Sequence, residues 1–196
     1  MRIASLWVLC IALCIALFSQ GANAQTGEVR CPAVKTQLKN SIGGALESLG
    51  DIGGSICRFK NLANGQTYER IIGVFDPSSP GGQANIGKIR SLIPLRVGNS
   101  VSWSGSGADS LGSNSGVWHF TTTIEKYELV KIAAGTIPCF VILQVEQTHG
   151  TGGRWERRWW YSPLIGYTVK FEFKTIHGNP PKNYPKDWEL VEIRQP

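Results

Sequence analysis

The densest chemistry in the chain is the run Arg154-Trp155-Glu156-Arg157-Arg158-Trp159-Trp160-Tyr161, followed past Ser162-Pro163 by Tyr167. Residues 154–174 carry five basic and two acidic side chains, so cationic groups alternate with large π surfaces. Such a mixture can stack on flat rings and pair with anions, which suits bases and phosphates, sugar rings, anionic glycans or lipid head groups. Arg154, Trp155, Arg157, Arg158, Trp159, Trp160, Tyr161 and Tyr167 are therefore the candidate ligand-binding residues. The same residues also have a purely structural reading, because Trp and Tyr favour strands and alternate ones would face a core.

Catalytic patterns are weak by comparison. His119, His149 and His177 are far apart and form no H-x-H or H-E-x-x-H pair, so no metal is expected. Gly112-Ser113-Asn114-Ser115-Gly116 carries Asn where a nucleophile elbow needs Ser. Glu125 and Glu128 share one expected strand, and Glu146 and Glu156 fall on neighbouring ones. Facing acids about 5–10 Å apart could hydrolyse a glycosidic bond, but solvated strand charges are the commoner use of such residues. No Gly-rich loop leads into a Lys-bearing helix, so phosphate cradles and nucleotide cofactors are not expected.

The first 24 residues supply the compartment. Arg2 precedes the apolar stretch Ile3–Phe18, and Ala22-Asn23-Ala24 is a small-x-small signal before Gln25. This reads as a signal peptide cleaved after Ala24, its apolar run short of the ~20 residues that span a bilayer. Its removal leaves 172 residues with 19 basic and 14 acidic side chains, a formal +5. No later segment is apolar and long enough to cross a membrane as a helix. A periplasmic or secreted location is expected, and with it no nucleic-acid partner. Three cysteines remain, Cys31, Cys57 and Cys139. An oxidising compartment allows one internal disulfide among three pairings. Cys31–Cys57 is favoured because it would tie the Gly-rich arm to the first strand; Cys139, inside an apolar run, suits a buried inert thiol.

The elements that must position these residues read mostly as strands. Residues 25–54 form an irregular or partly helical arm, with Val34, Leu38, Ile42, Ala45 and Leu49 near a helical spacing that Gly43-Gly44 weakens. From residue 55 onward the grammar is β. Ile56–Lys60 and Gln66–Phe75 flank the hairpin signal Asn64-Gly65, and Asp76-Pro77 and Gly81-Gly82 close the unit. A strand ends at Trp103, and Ser104–Gly116, nine of whose 13 residues are Ser or Gly, reads as a flexible loop or a mobile lid. Val117–Ile132, Pro138–Gln147, Arg154–Tyr161, Tyr167–Lys174 and Trp188–Arg194 are the remaining strands, with Val169, Phe171 and Phe173 expected on one face. The fold class is all-β: one curved antiparallel sheet, half-barrel or barrel of about eight or nine strands over residues 55–196, with one short N-terminal helix allowed.

Trp159-Trp160-Tyr161-Ser162-Pro163-Leu164-Ile165-Gly166-Tyr167-Thr168-Val169-Lys170-Phe171-Glu172 resembles a W-Y-S/A-P-x-L/I-G-x-x-V-K-x-E hairpin of uncharacterised bacterial exported β-proteins. Pro94-Leu95-Arg96-Val97-Gly98 with Trp103, and Ala134-Gly135-Thr136, fit the same pattern in order. The resemblance covers about residues 55–175 and implies no established reaction, so it carries no catalytic residue over. By looser analogy such proteins resemble curved half-barrels that carry lipids or lipoproteins through the periplasm. The expected function is a non-enzymatic cell-envelope binding domain for a hydrophobic or anionic ligand such as a lipid or glycan. The alternatives are a glycan hydrolase using paired carboxylates, or an assembly protein that pairs a sheet edge with a partner.

Overall fold

The structure is a computed structural model that describes residues 26–107, 116–148, 152–179 and 186–196. The leader, the centre of the Ser/Gly stretch and His149 lie outside them. Twelve strands are described: β1 Thr26–Gly27, β2 Gln37–Asn40, β3 Ala45–Asp51, β4 Ile56–Asn61, β5 Thr67–Ile71, β6 Leu95–Arg96, β7 Ser100–Gly107, β8 Gly116–Ile132, β9 Gly135–Thr148, β10 Arg154–Ser162, β11 Tyr167–His177 and β12 Trp188–Arg194. One helix, α1, spans Pro80–Arg90. Ten strands form a single antiparallel sheet in the order β5-β4-β3-β2-β12-β11-β10-β9-β8-β7, and β1 pairs with β6 as a separate ribbon. The two end strands of the large sheet do not pair with each other, so it is curved but not a closed barrel.

The arm is where expectation and structure part. Residues 37–51 make a hairpin of the main sheet instead of a helix. Gly43, at φ +90°, turns the chain, and the Asn40 side-chain oxygen accepts the Gly44 N–H at 2.7 Å. Leu38 is buried while Val34, Ile42 and Leu49 are exposed, so the supposed helical stripe is split in two. The helix lies later, at a place expected to be a turn. Proline is well placed in a first helical turn because the N–H it lacks would be orphaned there. Ile86 and Ile89 supply a short apolar face, and Lys88 and Arg90 oppose the negative end of the helix.

Curvature brings distant strands together. Only two residue pairs join β11 to β12, Lys170↔Glu189 and Phe171↔Trp188. Beyond that narrow seam the sheet folds over, so that Phe59 of β4 reaches Tyr167 of β11 with ring centroids 4.9 Å apart. One core fills this fold, with Leu38, Phe59, Val130, Val141, Trp160 and Leu190 among its members. We call that side of β8–β11 the strand side. The opposite, helix side carries a second core of Ile71, Phe75, Ile89, Leu92, Trp103, Ile142, Trp159 and Phe171. The disulfide Cys31–Cys57, Cα atoms 5.3 Å apart, ties the arm to β4 as favoured from the sequence. Such a bond belongs in an oxidising compartment. Among the described residues no helix is long and apolar enough to cross a membrane.

Two bulges set which side chain faces which core. In β8, Glu125 is the extra residue between Ile124↔Ile142 and Lys126↔Val141. In β11, Val169 is extra between Lys170↔Trp160 and Thr168↔Tyr161. Strict alternation would have put Val169 beside Phe171. The bulge turns it to the strand-side core instead, leaving Phe171 and Phe173 on the helix side.

Candidate functional site

Period-two geometry in β10 divides the seven sequence candidates that it carries between the two faces. Trp155, Arg157, Trp159 and Tyr161 point to the helix side; Arg154, Arg158 and Trp160 point to the strand side. All five aromatic candidates are buried. Trp159 packs 6.1 Å from Phe75 and 5.8 Å from Phe171. Trp160 donates its indole N–H to Glu128 at 2.8 Å, and the Lys170 ammonium sits 4.6 Å above its ring. The Tyr161 hydroxyl donates to the Arg30 carbonyl at 3.0 Å and accepts the Arg30 N–H at 3.1 Å. Tyr167 is buried against Phe59. The basic-aromatic run is thus chiefly the wall of two cores, not one ligand surface.

Glu146 and Glu156 do not face one another, whereas Glu125 and Glu156 share Arg158, whose guanidinium lies 3.0 Å from the first and 3.9 Å from the second. Glu146 lies opposite Trp155, whereas Glu156 lies opposite Val145, which places their side chains on opposite faces of the sheet. Glu125, aimed by its bulge, pairs with Arg158 at 3.0 Å, and Glu128 pairs with Lys126 at 2.7 Å. His119 Nδ1 lies 2.6 Å from Ser104 Oγ. Among the described residues no three His, Cys, Asp or Glu side chains gather as metal ligands would. Cys139 is fully buried, and burial pushes its thiol up to about 12, assisted by Glu128, so it stays protonated and inert.

A different constellation emerges on the helix side, at the end of the sheet away from the β8–β9 turn. Successive rows read Gly105–Trp118–Thr148, then Trp103–Phe120–Glu146–Trp155, then Val101–Thr122–Gln144–Arg157–Phe173. The aromatic members form a shelf. Trp103 and Phe120 stack at 5.5 Å, Phe120 and Trp118 at 6.3 Å, and Trp118 and Trp155 at 5.4 Å, with ring planes within 25° of parallel. Trp118 and Phe120 are half-buried, so part of the shelf meets solvent.

Polar groups are set among these rings. Glu146 is buried between Phe120 and Trp155, and its Oε1 lies 2.7 Å from Nε of Arg157 one row below. That nitrogen is near enough for an ion pair but is not aligned as a hydrogen-bond donor. Arg157 keeps a third of its side chain exposed, against 5% for Glu146. Burial pushes the Glu146 carboxyl up, and the Arg157 charge and contact oppose that shift. Gln144 is buried in the adjacent row. Among the described residues, the Thr122 hydroxyl and the Trp155 indole N–H are buried with no hydrogen-bond partner. Gly153 is required here, because a methyl group on it would meet the Trp155 ring at 2.3 Å.

Only Trp155 and Arg157 of this group were candidate ligand-binding residues; Glu146 was weighed only as a hydrolytic acid. The missed signal is in β9, where Phe140 and Ile142 begin a stripe that Gln144, Glu146 and Thr148 continue on the same face. Polar residues that prolong a buried apolar stripe are what a recognition surface looks like in sequence. Two depressions lie elsewhere, one of about 230 Å³ beside β2, β3 and β12 and one of about 340 Å³ between the 30–36 strap, the β10–β11 turn and the C-terminal residues. Neither contains this constellation.

No protein-family model matches the chain, and no curated protein matches it in sequence. Solved structures similar to it include the hypothetical lipoprotein YmcC from Escherichia coli K12, at 14% identity over 72% of this chain and 79% of that one, with a TM-score of 0.43. Another, from Bacteroides fragilis, is described as exported with a YmcC-like fold. It is 12% identical over 86% of this chain and 100% of that one, with a TM-score of 0.36. Both likenesses are distant.

Proposed function

We propose that this chain is an exported cell-envelope domain that binds a glycan, without chemistry of its own, on the shelf formed by Trp103, Phe120, Trp118 and Trp155. The observation that carries the reading is the open part of the shelf: Trp118 and Phe120 are half-buried and stack at 6.3 Å, and Arg157, one row from Phe120, keeps a third of its side chain exposed.

The class of ligand follows from the surroundings. Lower on the helix side the apolar surface is filled by the chain's own Phe75, Ile89, Leu92 and Leu95, which leaves little there for a lipid tail. A pyranose offers an apolar C–H face to lie on an aromatic ring and hydroxyls at its rim for Glu146, Gln144 and Arg157. The disulfide and the apolar leader ending in Ala22-Asn23-Ala24 support a periplasmic or secreted setting. Separation of Glu146 from Glu156 by the thickness of the sheet, and the engagement of both Glu125 and Glu156 by Arg158, speak against the paired-acid hydrolase.

The test is a tryptophan-fluorescence titration with soluble oligosaccharides, neutral and uronic-acid-bearing. Saturable quenching is expected, with Trp118→Ala abolishing it. Arg157→Gln is expected to weaken binding about tenfold or more, the worth of one charge-assisted contact. Equal responses from wild type and Trp118→Ala would end the proposal.

A further inference from the structure

We infer that the outer edge of β7 is the seat of a twofold contact between two copies of this chain. β7 ends the ten-stranded sheet and pairs with β8 across all eight of its residues without a bulge. Among the described residues no hydrogen bond reaches its outer edge, whose alternate N–H and C=O groups point away from β8. Helix α1 approaches β7 from the helix-side core, through Ile86 and Ile89, and bonds to none of those groups. Soluble proteins protect such an edge with Pro, Lys, inward charges or bulges. The sequence Ser100-Val101-Ser102-Trp103-Ser104-Gly105-Ser106-Gly107 has none of these. The opposite end strand, β5, has only five residues and carries Glu69 and Arg70.

The occupant is argued from charge and symmetry. In a twofold antiparallel pairing each strand meets its own sequence, so a charged strand would set like against like. β7 is neutral throughout. Opposite residues in an antiparallel pair share a face, so Ser100, Ser102 and Ser104 would meet serines of the other copy. A hydroxyl both donates and accepts, which makes serine complementary to itself. The inner flank already uses this chemistry: Ser100 and Thr123 hydroxyls are 2.8 Å apart, and those of Ser102 and Thr121 are 3.0 Å apart. Ser100, Ser102 and Ser104 are exposed. The axis of such a contact is normal to the sheet, so both copies would turn their helix sides the same way.

Native mass spectrometry and light scattering on the exported protein test this. Wild type is expected at twice the chain mass. Ser102→Lys places like charges opposite one another on an exposed edge position and is expected to give a folded monomer, its far-ultraviolet circular dichroism that of wild type. Thr67→Lys, on the β5 edge, is expected to remain dimeric, and so is the conservative Ser102→Thr. A wild-type monomer at every concentration overturns the inference, as does a Ser102→Lys protein that stays dimeric or a Thr67→Lys protein that dissociates.

Discussion

At the scale of single residues, Glu146 is the group whose environment differs most from what its type would choose. Its carboxyl sits between two aromatic rings with one imperfectly directed arginine for company. Burial raises its pKa, so the folded chain holds a proton at pH values where the unfolded chain, titrating near about 4.3, has already lost it. The folded state binding more protons means that stability falls as pH climbs from that value through the raised pKa. Glu146→Gln cannot titrate and is expected to lose less melting temperature than wild type over that rise. Thermal melts of both proteins at a series of pH values check this, and parallel curves would show that the Glu146 proton is not linked to folding.

At the scale of elements, the β10–β11 hairpin ties the N-terminal arm to the main sheet. Gly166 turns at φ +74°, and a methyl group there would stand 2.7 Å from Arg30 O, Cys31 C and Pro32 N. Tyr161 bonds twice to Arg30, and Ser162 Oγ accepts the Ile165 N–H at 3.4 Å. The Trp160–Gly166 stretch therefore clamps the 30–32 strap. Gly166→Ala combines a forced positive φ with a backbone clash and is expected to cost about 1–3 kcal/mol. In a chain of this size that is a fall in melting temperature of about 3–10 °C. A variant melting with wild type would show that the strap is not held there. The strands from Ile56 onward were legible because turn residues and alternation mark them locally. The β2–β3 hairpin was not, since its apolar spacing imitates a helix and only Gly43 decides the matter. The site was half legible: Trp155 and Arg157 stand in a conspicuous run, but Gln144, Glu146 and Thr148 join them only through the β8–β9–β10 register, which no local pattern announces.

For the whole molecule, the two halves of the sheet meet through few hydrogen-bonded pairs and are held largely by the core between them and by Cys31–Cys57. That cross-link closes a loop of sequence separation 26. Restricting the unfolded chain over such a span is worth about 3 kcal/mol. Cys31→Ser is expected to lower the melting temperature by about 10 °C, measured under the same non-reducing conditions as wild type. A change of about 2 °C or less would mean that core packing alone holds the arm. Cys139 should stay unreactive toward thiol reagents until the protein unfolds, because it is buried in the core beneath both halves.

The place of β12 in the sheet bears on how the protein comes into being. It lies between β2 and β11, so the chain's earliest large-sheet strand and its middle strands become neighbours only through residues 188–194. While those residues are still inside a ribosome or a translocation channel, the two halves have no shared strand to zip along. Contacts of such long sequence separation form slowly. The two halves therefore stay unzipped from one another until residues 188–194 are free to pair with both β2 and β11.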